Sequence, residues 1–359
     1  MKKFFALLLA LTMVLSLAAC GGKEETPAEK PAEGTEAPAE EKALPGEGME
    51  IALVTSKIGT QVFLLQMVEA LNEAAEKYGF KATIGECADT AAFEENIRAL
   101  GAEECDLIIG GGWEAGDDLN KMAAEFPDAA NYALIDSEVE AEAVKCISYY
   151  EQQGAYLIGM IAALVTDGES HTYGAVHVNE GAGSWKWRYG YMEGVKAIDP
   201  DAKFIFNYTA SYSDPAKAKE LAIQQNEQGA MFVNSACAAG DSGTFEAALE
   251  KGFYTSGQDV DLTDPSNPYI VTSQIKDTYQ SVTMLIDEFF SDSYDNSNST
   301  WGVAEGTIGA VHVTHESVNP IHERLSEEDI ALLKQAAEDI ASGKLDLINM
   351  PTEEEYNAG

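Results

Sequence analysis

The chain has 359 residues and a formal net charge of −39, because 61 acidic residues outnumber 22 basic ones. A surface this acidic repels nucleic-acid phosphates and anionic lipid headgroups, so we expect no nucleic acid among the partners. The length exceeds one typical hydrophobic core, and two folded lobes are the default expectation.

The first residues have the pattern of a secretory signal. Residues 1–3 are a basic start, residues 4–17 are an apolar run too short to cross a bilayer comfortably, and small residues precede Cys20. We predict a lipoprotein-type signal peptide over residues 1–19.

The sequence Leu-Ala-Ala-Cys that ends at Cys20 resembles the lipobox of bacterial lipoproteins. The resemblance implies cleavage before Cys20 and a lipid on its sulfur, which would anchor the protein at the extracytoplasmic face of the bacterial cell membrane. The alternative is an ordinary signal peptide with a chance cysteine. Residues 20–48 contain almost nothing apolar after the cysteine and predict a disordered tether.

The stretch from Met49 to Phe80 predicts a strand, a loop and a helix. Residues 51–54 are an apolar run short enough for a strand buried on both faces, and apolar residues then recur at helical spacing as far as Gly79. Ligands of open α/β sheets bind at the carboxyl ends of the strands. Phe63, near the start of this helix, is therefore a candidate ligand contact, with core packing as the alternative.

Strand-like and helix-like segments then alternate in two series, separated by a long apolar helix over residues 154–165. This alternation implies parallel sheets covered by helices on both faces. We predict an α/β fold, a two-lobed clamshell of the type I periplasmic-binding-protein kind. The predicted bounds are 49–148 plus 275–300 for lobe 1 and 149–274 plus 301–350 for lobe 2, with residues 291–300 as a polar loop.

The cysteines and histidines do not predict a metal site. No pair of the five cysteines has C-x-x-C spacing, and the five histidines are scattered. We expect no metal and no cofactor. Cys105 and Cys146 lie in or beside strand-like runs and are predicted to be buried small apolar groups, while a disulfide stays open.

Several segments in order resemble the BMP (basic membrane protein) family of nucleoside-type substrate-binding lipoproteins of ABC transporters. The likeness runs from about Ile51 to about Gly309, and the order of the motifs is more specific than any one of them. The matching stretches are FLLQMVEALNEAAEKYGF, CDLIIGGGWEAGDDLNKMAAEFPDAANYALID, YYEQQGAYLIGMIAAL, WKWRYGYMEGVKAIDP, SYSDPAKAKELA, SGQDVDL and VTSQIKD.

The resemblance implies a set of ligand-binding residues. Phe63 and Trp187 match two aromatic residues on opposite lobes that sandwich the base in the family, and such stacking contributes roughly 1–3 kcal/mol per base. Asp117 matches a base-contacting acid. Asp259 matches an acid that holds ribose hydroxyls, and Lys276 matches a lysine beside it.

Asp241 and Ser242 lie in a loop through which the family approaches the sugar with its backbone. The chain departs from the family at Thr60 and Leu64, which replace an aspartate and an asparagine. Losing a polar partner at such a site typically costs about 1–3 kcal/mol, so either another residue compensates or the ligand is not an ordinary ribonucleoside. The additional aromatics Trp113, Trp185 and Tyr189 are candidates for lining a differently shaped pocket.

Each of these assignments has a structural alternative. Trp187 fits core packing, Asp117 fits a helix N-cap, and Asp259 fits a helix or turn cap. Lys276 fits a surface ion pair of little energetic value.

The sequence favours a binding protein over an enzyme. It has no G-x-S-x-G elbow, no P-loop and no G-x-G-x-x-G after the first strand. We expect a substrate-binding lipoprotein that captures a small ligand, a purine nucleoside by preference, and delivers it to an ABC permease. The alternatives are a binding protein for a sugar or another small metabolite, a ligand sensor for a membrane partner and, least favoured, a nucleoside hydrolase in which Asp117 and Asp259 act as acid and base.

Overall fold

The structure, a computed structural model, describes residues 43–140, 142–291 and 294–358, apart from the side chain of Ala182. The predicted signal peptide, Cys20 and the predicted tether as far as residue 42 lie outside the described residues. Among the described helices, none combines the length and the hydrophobicity that crossing a membrane requires.

Strands and helices alternate through the first half of the chain. In order they are β1 (Glu50–Ser56), α1 (Val62–Tyr78), β2 (Lys81–Cys87), α2 (Thr90–Ala102), β3 (Leu107–Gly111), α3 (Gly116–Glu125), β4 (Asn131–Ile135), β5 (Val144–Tyr149) and α4 (Glu151–Thr166). The predicted first unit is confirmed, and α1 ends at Gly79, whose φ of +84° suits a residue without a side chain.

The same alternation returns in the second half. Its elements are β6 (Thr172–His177), α5 (Ala182–Ile198), β7 (Lys203–Tyr208), α6 (Pro215–Glu227), β8 (Phe232–Ala236), α7 (Asp241–Lys251), β9 (Tyr254–Asp259) and β10 (Ile270–Lys276). The chain continues with α8 (Thr278–Phe289), β11 (Ser299–Trp301), β12 (Ile308–Ala310), α9 (Glu327–Ala341) and α10 (Glu353–Ala358).

The strands of the described ranges form two six-stranded sheets, one in each lobe. The orders are β11-β5-β4-β3-β1-β2 in lobe 1 and β12-β10-β9-β8-β6-β7 in lobe 2. All described pairings are parallel except that of β12 with β10. The predicted two-lobed α/β fold is therefore confirmed.

The chain crosses between the lobes three times, from β5 to α4, from β10 to α8 and from β11 to β12. Ile275 and Lys276 pair within the second sheet, although the predicted bounds place them in lobe 1. Trp301 pairs with β5 in the first sheet, although the bounds place it in lobe 2. The division itself stays a proposal.

Helices α4 and α5 pack unusually close because glycines line their interface. A side chain on Gly194 would meet the carbonyl oxygen of Tyr156 at 1.9 Å, and one on Gly159 would meet that of Tyr191 at 2.2 Å. Nearly all of α4 is buried, as expected for a helix that is apolar on all sides. This contact fixes the orientation of α5, which carries Trp187.

Two short elements differ from the sequence-based expectation. β11 lies where a polar loop was predicted, because three residues suffice to add an edge strand beside β5. α10 lies beyond the last predicted element and packs on α5 through Arg188, whose guanidinium pairs with Glu353.

Residues 44–48 lie against the far end of α1. The amide of Gly46 donates to the carbonyl of Tyr78 at 2.8 Å. A side chain on Gly79 would come within 2.7 Å of Leu44 Cβ, so the two segments are in close contact.

Candidate functional site

A cavity of about 600 Å³ lies between the carboxyl ends of the two sheets. This volume is in the usual range for small-molecule sites. Lobe 1 contributes Ser56, Gln61, Phe63, Leu64, Gly111, Gly112, Trp113, Glu114, Asp136 and Ser137, the crossings contribute Glu151 and Lys276, and lobe 2 contributes His177, Val178, Asn179, Gly183, Ser184, Trp187, Tyr212, Ala236, Ala238, Gln258 and Asp259.

Phe63 and Trp187 line this cavity from opposite lobes. Phe63 is the second residue of α1, and its carbonyl accepts a hydrogen bond from Thr278 Oγ1 at 2.7 Å. The Lys276 Nζ lies 5.5 Å from the centroid of the Phe63 ring. Trp187 projects from α5, whose position the glycine contacts with α4 determine.

Lys276 is the centre of a buried ion network. Its Nζ pairs with Asp136 and lies 3.2 Å from Glu151, and it sits 4.9 Å from the centroid of the Tyr149 ring. Lys186 reaches the other oxygen of Glu151 at 3.2 Å. The ion pairs of Lys276 are therefore buried, unlike the surface ion pair that was the structural alternative for this residue.

Burial and pairing act in opposite directions on these groups. Burial raises the pKa of Asp136 above its usual value, against the opposing effect of Lys276. Burial alone would also raise the pKa of Glu151, but Lys276 and Lys186 bring it below its usual value. Burial alone would lower the pKa of Lys276, yet Asp136 and Glu151 raise it. The amine therefore stays protonated and holds the three chain segments together.

Asp259 ends β9 with a φ of +70° and is only 3% exposed. Its carboxylate accepts one hydrogen bond, from Gln258 Nε2 at 3.1 Å. Burial raises the pKa of Asp259 to about 6, although Lys276 acts in the opposite direction. A buried carboxylate with a single neutral donor retains acceptor capacity for a ligand.

The turn after β3 supplies cavity residues that the sequence did not single out as a group. Trp113, 60% exposed, and Glu114 belong to a short 3₁₀ turn, Trp113–Ala115, that follows Gly112 with its φ of +103°. Burial raises the pKa of Glu114. Across the cavity, burial and then the nearby Glu114 raise the pKa of Tyr212.

His177 lies at the carboxyl end of β6 and faces the cavity as a neutral group. Its ring nitrogens lie 3.2 Å from Ser184 Oγ and 3.1 Å from Asn234 Oδ1. Burial lowers the pKa of His177 to about 4. It contributes hydrogen bonding but no charge near neutral pH.

Three predicted ligand contacts do not reach the cavity. Asp117 is exposed on the first turn of α3, because the preceding 3₁₀ turn directs Glu114 inward instead. Asp241 is buried, but it is used within its own loop, where it accepts from Ser235 Oγ and the Cys237 amide at 2.7 Å each. The exposed Ser242 donates to Ala239 O at 3.2 Å.

Trp185 and Tyr189 pack away from the cavity against the C-terminal segment. The Trp185 Nε1 donates to Pro351 O at 2.8 Å, and Tyr189 meets the Tyr356 ring edge-on at 5.7 Å. Of the extra aromatics, Trp113 lines the cavity and these two do not.

The described cysteines are buried and unpaired, namely Cys87, Cys105, Cys146 and Cys237. Cys105 and Cys146 are fully buried in lobe 1, as predicted. Within the described ranges, no group of three or more His, Cys, Asp or Glu side chains could hold a metal ion.

Comparisons with known proteins place the chain in a family. A family model described as Bmp, ABC transporter substrate-binding protein PnrA-like, matches residues 51–345. A relative named basic membrane protein A2, from Borrelia garinii subsp. bavariensis, is 24% identical over 272 residues, covering 72% of this chain and 78% of the relative.

Solved structures share the fold. An ABC transporter solute-binding protein from Aeropyrum pernix K1 has a TM-score of 0.74 at 21% identity, covering 86% of this chain and 96% of that one. A 5-methylthioribose transporter solute-binding protein from Thermotoga lettingae, in complex with 5-methylthioribose, has a TM-score of 0.57 at 18% identity, covering 70% and 83%.

Proposed function

The chain belongs to the Bmp family of PnrA-like ABC transporter substrate-binding proteins, and from that premise we propose that it captures a purine nucleoside in the cavity between its lobes. The observation that carries this proposal is the pair of aromatic side chains, Phe63 and Trp187, that line one cavity from opposite lobes. Two rings on separate lobes can close on a flat base by a hinge motion.

The polar edge of the ligand would meet side chains deeper in the cavity. Asp259 offers a carboxylate for ribose hydroxyls, and Lys276 lies beside it, held by Asp136 and Glu151. Glu114, which lines the cavity, would take the base-contacting role that the family resemblance implied for Asp117. Leu64 lines the same cavity without a polar group, while Gln61 and Ser137 are polar lining residues of the same lobe.

The proposal also covers the location of the protein in the cell and the membrane partner that receives its ligand. A lipid on Cys20 would hold the protein at the extracytoplasmic face of the membrane, where it would deliver its ligand to an ABC permease. A ligand sensor would present the same cavity to a different membrane partner, and genes for a permease and an ATPase beside this one would favour transport.

Calorimetry with adenosine, guanosine, inosine, ribose and 5-methylthioribose tests the ligand class. At least one nucleoside should bind, and Phe63→Ala should weaken it. If ribose or 5-methylthioribose binds and no nucleoside does, the sugar alternative is favoured instead. 5-Methylthioribose is included because a solute-binding protein solved in complex with it shares this fold.

A further inference from the structure

The cavity contains more carboxylates than amines. Among the residues that the structure describes, its lining includes Glu114, Asp136, Glu151 and Asp259, against Lys276 as the one lining amine. Lys186 adds a second amine by reaching Glu151. His177 adds no charge near neutral pH, because burial lowers its pKa to about 4.

The two amines are committed to two of the carboxylates. Lys276 pairs with Asp136 and Glu151, and Lys186 pairs with Glu151. Within the described part of the chain, neither Glu114 nor Asp259 has an amine or guanidinium at ion-pair distance. These two carboxylates come from opposite lobes, and Asp259 is 97% buried with one neutral donor.

In the described part of the chain, four aromatic side chains line the same cavity, two from each lobe. They are Phe63 and Trp113 from lobe 1 and Trp187 and Tyr212 from lobe 2. Aromatic faces combined with carboxylates form the chemistry that binds organic cations, because the ring quadrupole and the carboxylate both attract positive charge. A neutral ligand would bring no positive charge to these two desolvated carboxylates when the lobes close, and Lys276, which acts on Asp259, is already paired with Asp136 and Glu151.

We propose that the ligand is a flat heterocycle with a positive charge, such as a nucleoside alkylated on a ring nitrogen of its base. Glu114 meets the base, and the carboxylate of Asp259, which also accepts from the ribose hydroxyls, supplies the second negative charge that balances the cation. The inference rests on the proposed function and specifies its substrate class. The charge of the ligand supplies attraction in place of the polar contact that Leu64 cannot make.

Isomers that differ in charge test the proposal by calorimetry. 1-Methyladenosine is a cation at neutral pH, and N6-methyladenosine is its neutral isomer; 3-methylcytidine and 5-methylcytidine are a second such pair. In at least one pair, the cation should bind about tenfold or more tightly, and this advantage should shrink as salt is raised.

Two variants and a control locate the effect. Glu114→Gln and Asp259→Asn should each reduce the advantage of the cation several-fold. Glu95→Gln, which removes one charge from the exposed face of α2, should leave it unchanged.

The remaining outcomes of the binding experiments contradict either the charge inference alone or the charge inference together with the proposed function. If the neutral isomers bind as tightly as the cations, or if the advantage survives both cavity variants, the charge inference is wrong and the proposed function stands. If none of these nucleosides nor the unmodified ones bind, both the inference and the proposed function are wrong.

Discussion

Asp136 and Asp259 occupy matching positions in the two lobes, yet only Asp136 pairs with Lys276. Each lies at the carboxyl end of the fourth strand of its lobe, and their φ angles are +71° and +70°. Asp136 thus stabilises the crossing, while Asp259 is left with Gln258 and faces the cavity. The same backbone position therefore carries an ion pair between chain segments in one lobe and a carboxylate that lines the cavity in the other.

Replacing Lys276 by methionine should strongly destabilise the protein without ligand. Asp136 and Glu151 would lose their shared amine, and breaking such a buried pair typically costs about 3–5 kcal/mol. Urea unfolding measures this loss. Adding Asp136→Asn should recover part of it, whereas strictly additive losses would show that the two residues are not coupled.

Asp259→Asn should stabilise the ligand-free protein in a pH-dependent way. Because burial raises the pKa of Asp259 from 3.8 to about 6, the folded state holds its proton more tightly than the unfolded state, and stability falls as pH rises from about 4 to 6. Asparagine removes this loss and tolerates a positive φ.

The variant should therefore gain up to about 3 kcal/mol in free energy of unfolding at pH 7 and nothing at pH 3.5. Urea unfolding at both pH values checks the sign. An equal change in the free energy of unfolding at both pH values would mean that the gain does not come from removing the charge of Asp259. Besides burial, the nearby charges of Lys276 and Asp136 also act on the pKa of Asp259, the first lowering it and the second raising it.

Trp187→Ala should lower ligand affinity by about one to two orders of magnitude while the melting temperature changes little, because its ring contributes stacking rather than core packing. Trp185→Ala is the matched comparison. Trp185 is 6% exposed and donates to Pro351, so its loss should lower the melting temperature instead. Equal melting losses in both variants would identify Trp187 as a core residue.

Glu353→Gln should loosen the C-terminal helix from α5. Arg188 is 4% exposed and forms its ion pair with Glu353, so losing that charge should cost about 1–3 kcal/mol. Thermal unfolding measures the change. Glu354→Gln, at an exposed neighbouring position, is the control and should unfold like the parent protein.

Incubation with a bound nucleoside should return it intact. Asp117 is exposed and off the cavity, so it cannot act with Asp259 as an acid and base pair on a glycosidic bond. Chromatography of the products checks this, and free base accumulating in proportion to the protein would establish hydrolysis. Protein with Asp259→Asn serves as the control for contaminating hydrolases.

Local sequence pattern alone led to one of the residues that line the cavity. Phe63 follows a buried strand at the start of a helix, so the rule for open α/β sheets made it a candidate, whereas Asp259 came from the family likeness. Lys276 came from the family likeness, but its partners did not. Asp136 and Glu151 lie more than a hundred residues away in sequence, and only the folded chain brings these three charges together.

The predicted contacts that the structure places off the cavity share a physical origin. Asp117 and Glu114 are three residues apart, and a single 3₁₀ turn decides which of them faces the cavity. Trp185 lies two residues from Trp187 on α5. The contact with α4 orients this helix, and the C-terminal segment then covers Trp185, whose Nε1 donates to Pro351 O.

The docking of residues 44–48 beside Tyr78 has a practical consequence for biosensor design. Phe63 and Tyr78 lie at opposite ends of α1, a helix of 17 residues and so roughly 25 Å long. A protein immobilised through residue 43 would be attached at the Tyr78 end of α1, which is the end of lobe 1 away from the cavity. The cavity would then face away from the attachment point. Lobe 2 would remain free to swing, and a fluorophore on it would report closure without steric interference from the chip surface.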